Sequence, residues 1–190
     1  MSKVGRTPVQ LPSGVEVKVD PNGRIQVKGS KGTIQVNPEL PNFLGLEIQG
    51  QTIVIVTKEV KGVDKRYQSQ QHGLFRSLVN NAVSGVTKGW EKQLKINGVG
   101  FRAEVKGKNL DLKIGFSHPT MLAIPTGIEV ALADNGTTIN VKGMDKILVG
   151  KFCAELRGMK EPEPYKGKGI QYVGERIRKK EGKAAAGAKK

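Results

Sequence analysis

The first third of the chain alternates. Val15, Val17 and Val19 fall on one side and Glu16 and Lys18 on the other, which predicts a half-buried strand over Gly14–Val19. Asp20-Pro21-Asn22-Gly23 supplies a turn, with Asn-Gly tolerating positive φ. Arg24–Lys28 and Thr33–Val36 read as two further strands around a second turn, Gly29-Ser30-Lys31-Gly32. Leu46–Gln49 and Thr52–Thr57 form a further hairpin across Gly50-Gln51, so the opening reads as an antiparallel meander.

The period then changes. Between Ser69 and Val86 apolar residues fall at Leu74, Phe75, Leu78, Val79, Ala82, Val83 and Val86, one stripe of a helix, with Ser69 as the expected N-cap. The stripe covers the inner face of the sheet and closes a small α+β core.

After Lys88-Gly89-Trp90 the same order begins again. Val27-Lys28-Gly29 recurs as Val105-Lys106-Gly107, Leu46-Glu47-Ile48 as Ile128-Glu129-Val130, and Thr52–Val56 as Thr138–Val141. A second amphipathic stripe follows at Ile147, Leu148, Phe152, Cys153, Leu156 and Met159. The expected fold is α+β: two tandem copies of a small antiparallel-sheet-plus-helix domain, with an extended basic C-terminal segment. The expected divisions are 1–86, 87–173 and a basic tail 174–190, with the boundary near Gly85 to Trp90. Glu175–Lys180 is expected to add a helical turn or two. Gly182–Lys190 reads as low-complexity and mobile.

Charge sharpens the picture. The 190 residues carry 32 Lys+Arg against 17 Asp+Glu, a formal net charge of +15. Such an excess favours an anionic partner, nucleic acid first and an anionic membrane surface second. One cysteine, Cys153, excludes an internal disulfide framework and fits a small core residue. Met1–Arg6 lacks an apolar h-region and no run reaches transmembrane length, so neither a signal peptide nor a membrane partner is expected.

Catalytic chemistry finds little support. Two histidines and one cysteine do not make a zinc site. His72 suits a polar cap or an RNA contact, and Ser77, His72 and the acids lack the spacing of a triad. Gly98-Val99-Gly100-Phe101 superficially resembles a dinucleotide loop, but Phe101, Ala103 and Val105 alternate into a strand where that loop needs a helix. No enzyme activity, cofactor, metal or small-molecule substrate is expected.

The segment Lys160–Lys180 is different. Pro162 and Pro164 bias it towards extended backbone. Lys166-Gly167-Lys168-Gly169 alternates cations with residues that allow close approach, and Tyr165 and Tyr172 offer faces for stacking or hydrogen bonding. Arg176, Arg178, Lys179 and Lys180 complete it. Lys160, Lys166, Lys168, Arg176, Arg178, Lys179 and Lys180 are the candidate phosphate contacts. Ser117 and His118, in Gly115-Phe116-Ser117-His118-Pro119, are candidates for further phosphates. Lys92 and Arg102, in a cluster with Lys88, Lys95, Lys106 and Lys108 around the first strands of the second half, are candidates on an outer sheet face.

Pro162–Ile170 with Tyr172 resembles the C-terminal signature of the bacterial ribosomal protein L6 family. The opening Ser2–Val9 with Pro12–Val15, the hairpin Val27–Gly32, His72-Gly73-Leu74, Gly98–Arg102 and Gly115–Pro119 are similar to other blocks of that family. The resemblance implies a doubled α+β fold and a structural role in the cytoplasmic large ribosomal subunit. It further implies binding of 23S ribosomal RNA, mainly through the second domain, near the stalk base and the sarcin-ricin loop. Neighbouring large-subunit proteins and translation factors are the implied protein partners. A general nucleic-acid binder is the alternative, which competition with bulk DNA would separate.

Two measurements follow. If about six phosphates are engaged, affinity for ribosomal RNA should fall roughly a thousandfold between about 50 and 200 mM salt. Cutting the chain after Met159 is expected to leave a folded two-domain protein that no longer binds ribosomal RNA; retained affinity would move the site elsewhere.

Overall fold

The computed structural model describes residues 2–58, 60, 62–118 and 120–181. The expected mobile tail Gly182–Lys190, and Pro119 of the expected proline turn, lie outside the described residues. The chain forms two compact units, Met1–Trp90 with Met144–Lys146, and Glu91–Gly143 with Ile147–Lys190.

Among the described residues the first unit holds six strands and a helix. β1 is Val9–Gln10, β2 Glu16–Val19, β3 Ile25–Gly29, β4 Gly32–Val36, β5 Leu44–Gln49, β6 Thr52–Thr57 and α1 Lys65–Thr87. They make two three-stranded sheets, β2-β3-β4 and β1-β6-β5, where the alternation alone implied one meander. The strand missed is β1, too short to show a period; its Val9 is 1% exposed and pairs with Ile53. α1 packs against β1, β3, β4 and β6. Phe75, Val79, Ala82, Val83 and Val86 join Ile25, Val27, Ile53 and Ile55 in one core. Leu74, counted in the stripe, lies 43% exposed at its edge.

The helix begins earlier than expected. Asp64, not Ser69, is the N-cap, and its carboxylate accepts from the Arg66 N–H at 3.0 Å. The extra turn carries His72 round to the core. It is 2% exposed, and its Nε2–H donates to the Ile55 carbonyl at 2.9 Å. His72 is therefore an interior residue rather than a cap or an RNA contact.

The second unit repeats the order. β7 is Trp90–Asn97, β8 Arg102–Lys106, β9 Asn109–Lys113, β10 Thr120–Ala123, β11 Ile128–Ala133, β12 Thr138–Gly143, α2 Lys146–Met159 and β13 Gly169–Tyr172. The sheets are β10-β9-β8 and β11-β12-β7-β13. β7-β12-β11 stands where β1-β6-β5 stands in the first copy, and β13 is an addition. The Val-Lys-Gly recurrence is not part of this equivalence. Val27 lies on central β3 and Val105 on edge strand β8, so only the order of elements carries the duplication. Along α2 the buried residues are Val149, Phe152, Cys153 and Leu156, while Ile147 is 63% exposed. Burial pushes the Cys153 thiol up to about 11, which keeps it protonated and inert.

β13 changes the status of the basic segment. It pairs antiparallel with β7, matching Gly169 to Asn97, Ile170 to Ile96 and Tyr172 to Leu94. Ile170 is 0% exposed, as is Leu94. Residues 169–172 of the segment are thus part of the sheet, and a cut after Met159 strips an edge strand instead of leaving an intact domain. Replacing Ile170 by Ala should cost about 2–5 kcal/mol, read by urea unfolding, because it opens a cavity in that core. A loss under about 1 kcal/mol would mean β13 is only loosely attached.

Candidate nucleic-acid interface

The sequence places two cationic runs on either side of β13, and the fold brings them together. Before β13 the chain forms a closed loop. The Gly167 N–H donates to the Glu163 carbonyl at 3.0 Å and the Glu163 N–H to the Lys168 carbonyl at 2.8 Å. Gly167 takes φ +72 here with open space beside its Cα, a left-handed turn position that favours glycine. After β13 the chain turns at Val173–Gly174 and comes back, and the Lys180 N–H donates to the Pro164 carbonyl at 3.0 Å. No helix forms over 175–180, where one or two turns were expected; the backbone there is irregular.

The charges are sorted in the process. Arg157 on α2 holds Glu175 through two hydrogen bonds, at 2.8 and 3.2 Å, and lies 3.7 Å from Glu161. A Glu175 oxygen also accepts from the Tyr172 N–H at 3.0 Å, which locks the end of β13. Two of the segment's acids thus face one half-buried arginine, while Glu163 is exposed and among the described residues is held in no ion pair. Lys166, Lys168, Arg176, Arg178, Lys179 and Lys180 are all exposed, and among the described residues none of them is held in an ion pair.

Other candidates are placed differently. Tyr165 is 53% exposed and presents its ring to solvent. Tyr172 is half-buried on the core side of β13, with the Lys92 ammonium 5.1 Å from its ring centroid, so it has no free face comparable to Tyr165. Gly169 is buried at φ +137, and a Cβ there would lie 2.6 Å from the Glu161 carbonyl oxygen. Its lack of a side chain is required by the fold of the loop. Arg102 is paired with Glu104 at 3.1 Å, and Lys106 with Asp111 at 2.6 Å, so this part of the outer-face cluster is largely neutralised within the protein.

Ser117 and His118 sit on the exposed loop after β9, next to the segment. Phe116 and His118 lie with ring planes 9° apart and centroids 6.0 Å apart, and the Lys160 ammonium stands 4.8 Å from the Phe116 centroid. Phe116 was not among the sequence candidates, although an aromatic between Gly115 and Ser117 in a loop was the available signal. Gly98-Val99-Gly100 is a strand-to-strand turn between β7 and β8, which excludes the dinucleotide reading. Gly98 and Gly115 are both small because the Phe101 ring occupies the space of their missing side chains, at 2.4 and 2.8 Å from the Cβ each would carry.

Among the described residues no group of His, Cys, Asp or Glu could hold a metal ion, and no helix is long and apolar enough to cross a membrane. A doubled α+β scaffold whose second copy presents unpaired cations on a fixed loop has the make-up of a polyanion-binding module. The family model for ribosomal protein L6 matches residues 11–89 and again 97–173. The chain is 45% identical to the large ribosomal subunit protein uL6 of Methylacidiphilum infernorum, over 97% of this chain and 99% of that one. It is 45% identical to the protein of the same name from Caldicellulosiruptor bescii, over the whole of both chains. With that from Nitratiruptor it shares 47% identity over 97% and 99%. The chain belongs to the ribosomal protein L6 family, which is structural and not enzymatic.

Acid should loosen the clamp that ends β13 and with it the fold of the second unit. The Arg157 guanidinium, helped by the Tyr172 N–H, holds the Glu175 carboxyl below its ordinary value. A depressed carboxyl stabilises the fold fully above the ordinary carboxylate range, and that contribution is lost as pH falls through the folded value. Asp111 behaves alike, lowered by its hydrogen bond from Lys106 against the opposing effect of burial. The thermal midpoint should therefore drop between about pH 6 and pH 3, and Glu175→Gln should flatten part of that drop. An unchanged profile in the variant would show that the clamp carries no stability.

Proposed function

We propose that this chain, a non-catalytic constituent of the large ribosomal subunit, binds 23S ribosomal RNA through the second unit, near the stalk base and the sarcin-ricin loop. Neighbouring large-subunit proteins are its further partners, and translation factors dock close by. The observation that carries the RNA reading is the convergence of two cationic runs, made by the Lys180–Pro164 hydrogen bond, with six exposed cations within Lys160–Lys180 against one exposed acid there, Glu163, that Arg157 does not hold.

The mechanism is electrostatic positioning. Lys166, Lys168, Arg176, Arg178, Lys179 and Lys180 neutralise phosphates and release counterions. Because β13 fixes the loop, those ammonium and guanidinium groups are presented with little ordering cost on binding. Tyr165 supplies a stacking face beside them, with Lys160, Ser117 and His118 at the flank. Gly167 keeps the tip of the loop low. Lys92 and Arg102 contribute weakly, the first because it lies over Tyr172 and the second because Glu104 offsets it. Folded RNA is met here through phosphates, sugars and shape, so sequence readout is minor.

The double variant Lys166→Gln/Lys168→Gln should bind ribosomal RNA more weakly at low salt. Its log–log salt slope should also be shallower by about 1.5–2. A slope equal to that of the parent chain would remove both lysines from the interface.

A further inference from the structure

We infer that the second unit carries a separate receptor for one unpaired nucleotide, in the depression between the Gly98–Gly100 turn and the Gly115–His118 loop. The inference rests on the ribosomal RNA reading above and names the part of the RNA that this spot would take.

The depression has a volume of about 320 Å³. Buried Leu112 and half-buried Phe101 line it from within, Val99 and Phe116 form its apolar lip, and Ser117 and His118 its polar side. Val99 is 93% exposed at the tip of a turn between two glycines, and Phe116 is 43% exposed. Val99 and Phe116 stand exposed on the mouth of one concavity, so a single flat group seated there covers both. The occupant is indicated by what surrounds it. Phe116 and His118 have nearly parallel rings, so a flat group entering beside either ring continues one stacking direction. The Lys160 ammonium stands by Phe116 and leads into the cationic loop, so an anion attached to that flat group is met by charge. A flat group bearing a phosphate is a nucleotide. Within a duplex, base faces are buried against one another, so the base must be unstacked, as in a loop or bulge. A protein partner would satisfy the apolar lip equally well, but it would have to bring carboxylates to the cationic flank, where a nucleotide brings its phosphate with the same group.

Two measurements test this on the full chain. In a titration of isotope-labelled protein with adenosine monophosphate, the amide signals of Val99, Gly115 and Ser117 and the His118 ring signals should shift. Ribose 5-phosphate should leave them in place. Equal shifts with both probes would make the spot a phosphate site, and no shift with either would leave it without a nucleotide; both overturn the inference. In the second measurement Phe116→Ala should lower affinity for large-subunit ribosomal RNA about five- to a hundredfold, with the salt slope unchanged because no phosphate contact is lost. Should that variant fail to show a folded amide spectrum, Val99→Ser and His118→Ala serve in its place. Parent-like affinity in a folded variant would refute the receptor alone and favour a protein on that lip. Failure of the unmodified chain to bind ribosomal RNA would instead refute the reading beneath it.

Discussion

The pairing of β13 with β7 is the interaction on which the rest of the second unit's chemistry depends. It turns a proline- and glycine-rich stretch, which by composition would be a floppy arm, into the edge of a four-stranded sheet. Ile170 fastens it from below and the Glu175 clamp fastens its end. Fixing the backbone in the free protein means that less chain entropy must be lost when a partner binds. A free arm with the same cations would have the same charge and a larger ordering cost.

Arg157 plays an unexpected part in this. An arginine near a cationic surface looks like one more phosphate contact. It is instead turned to Glu161 and Glu175, and it offsets the charge of Glu175, which would otherwise oppose binding, while Glu161 and Glu163 remain exposed. The planar guanidinium suits the task because it holds Glu175 in a two-point grip that a lysine could not reproduce. Structural and electrostatic roles are thus carried by the same residues, since the clamp that ends β13 also neutralises Glu175 beside the cationic run.

Much of the architecture was legible in the residues, for identifiable reasons. Alternation over β2 to β6 and the stripe in α1 are strong signals because each is repeated many times along its element. β1 was illegible because two residues have no period, and the two-sheet arrangement because alternation says which face is buried but not against what. The helix start was misplaced because Ser69 is as good a cap by type as Asp64, and the difference of one turn moved His72 from surface to core. The site was partly legible. Its cations could be named from sequence, but the roles of Gly169 and Tyr172 could not, since both depend on a strand pairing that a four-residue segment flanked by proline and glycine does not advertise. Pairing also decided which lysines and arginines were free: Arg102 and Lys106 look like Lys166 and Lys168 in the sequence and differ only in having Glu104 and Asp111 within reach.

The most direct measurement places a photo-crosslinking aromatic residue at position 165, in the centre of the cationic loop, and irradiates assembled large subunits containing it. Covalent capture of 23S ribosomal RNA at a single defined region is the expected result. Capture of protein alone, or of nothing, in particles that contain the chain would show that the anchored loop faces away from RNA, and would contradict the account at its root.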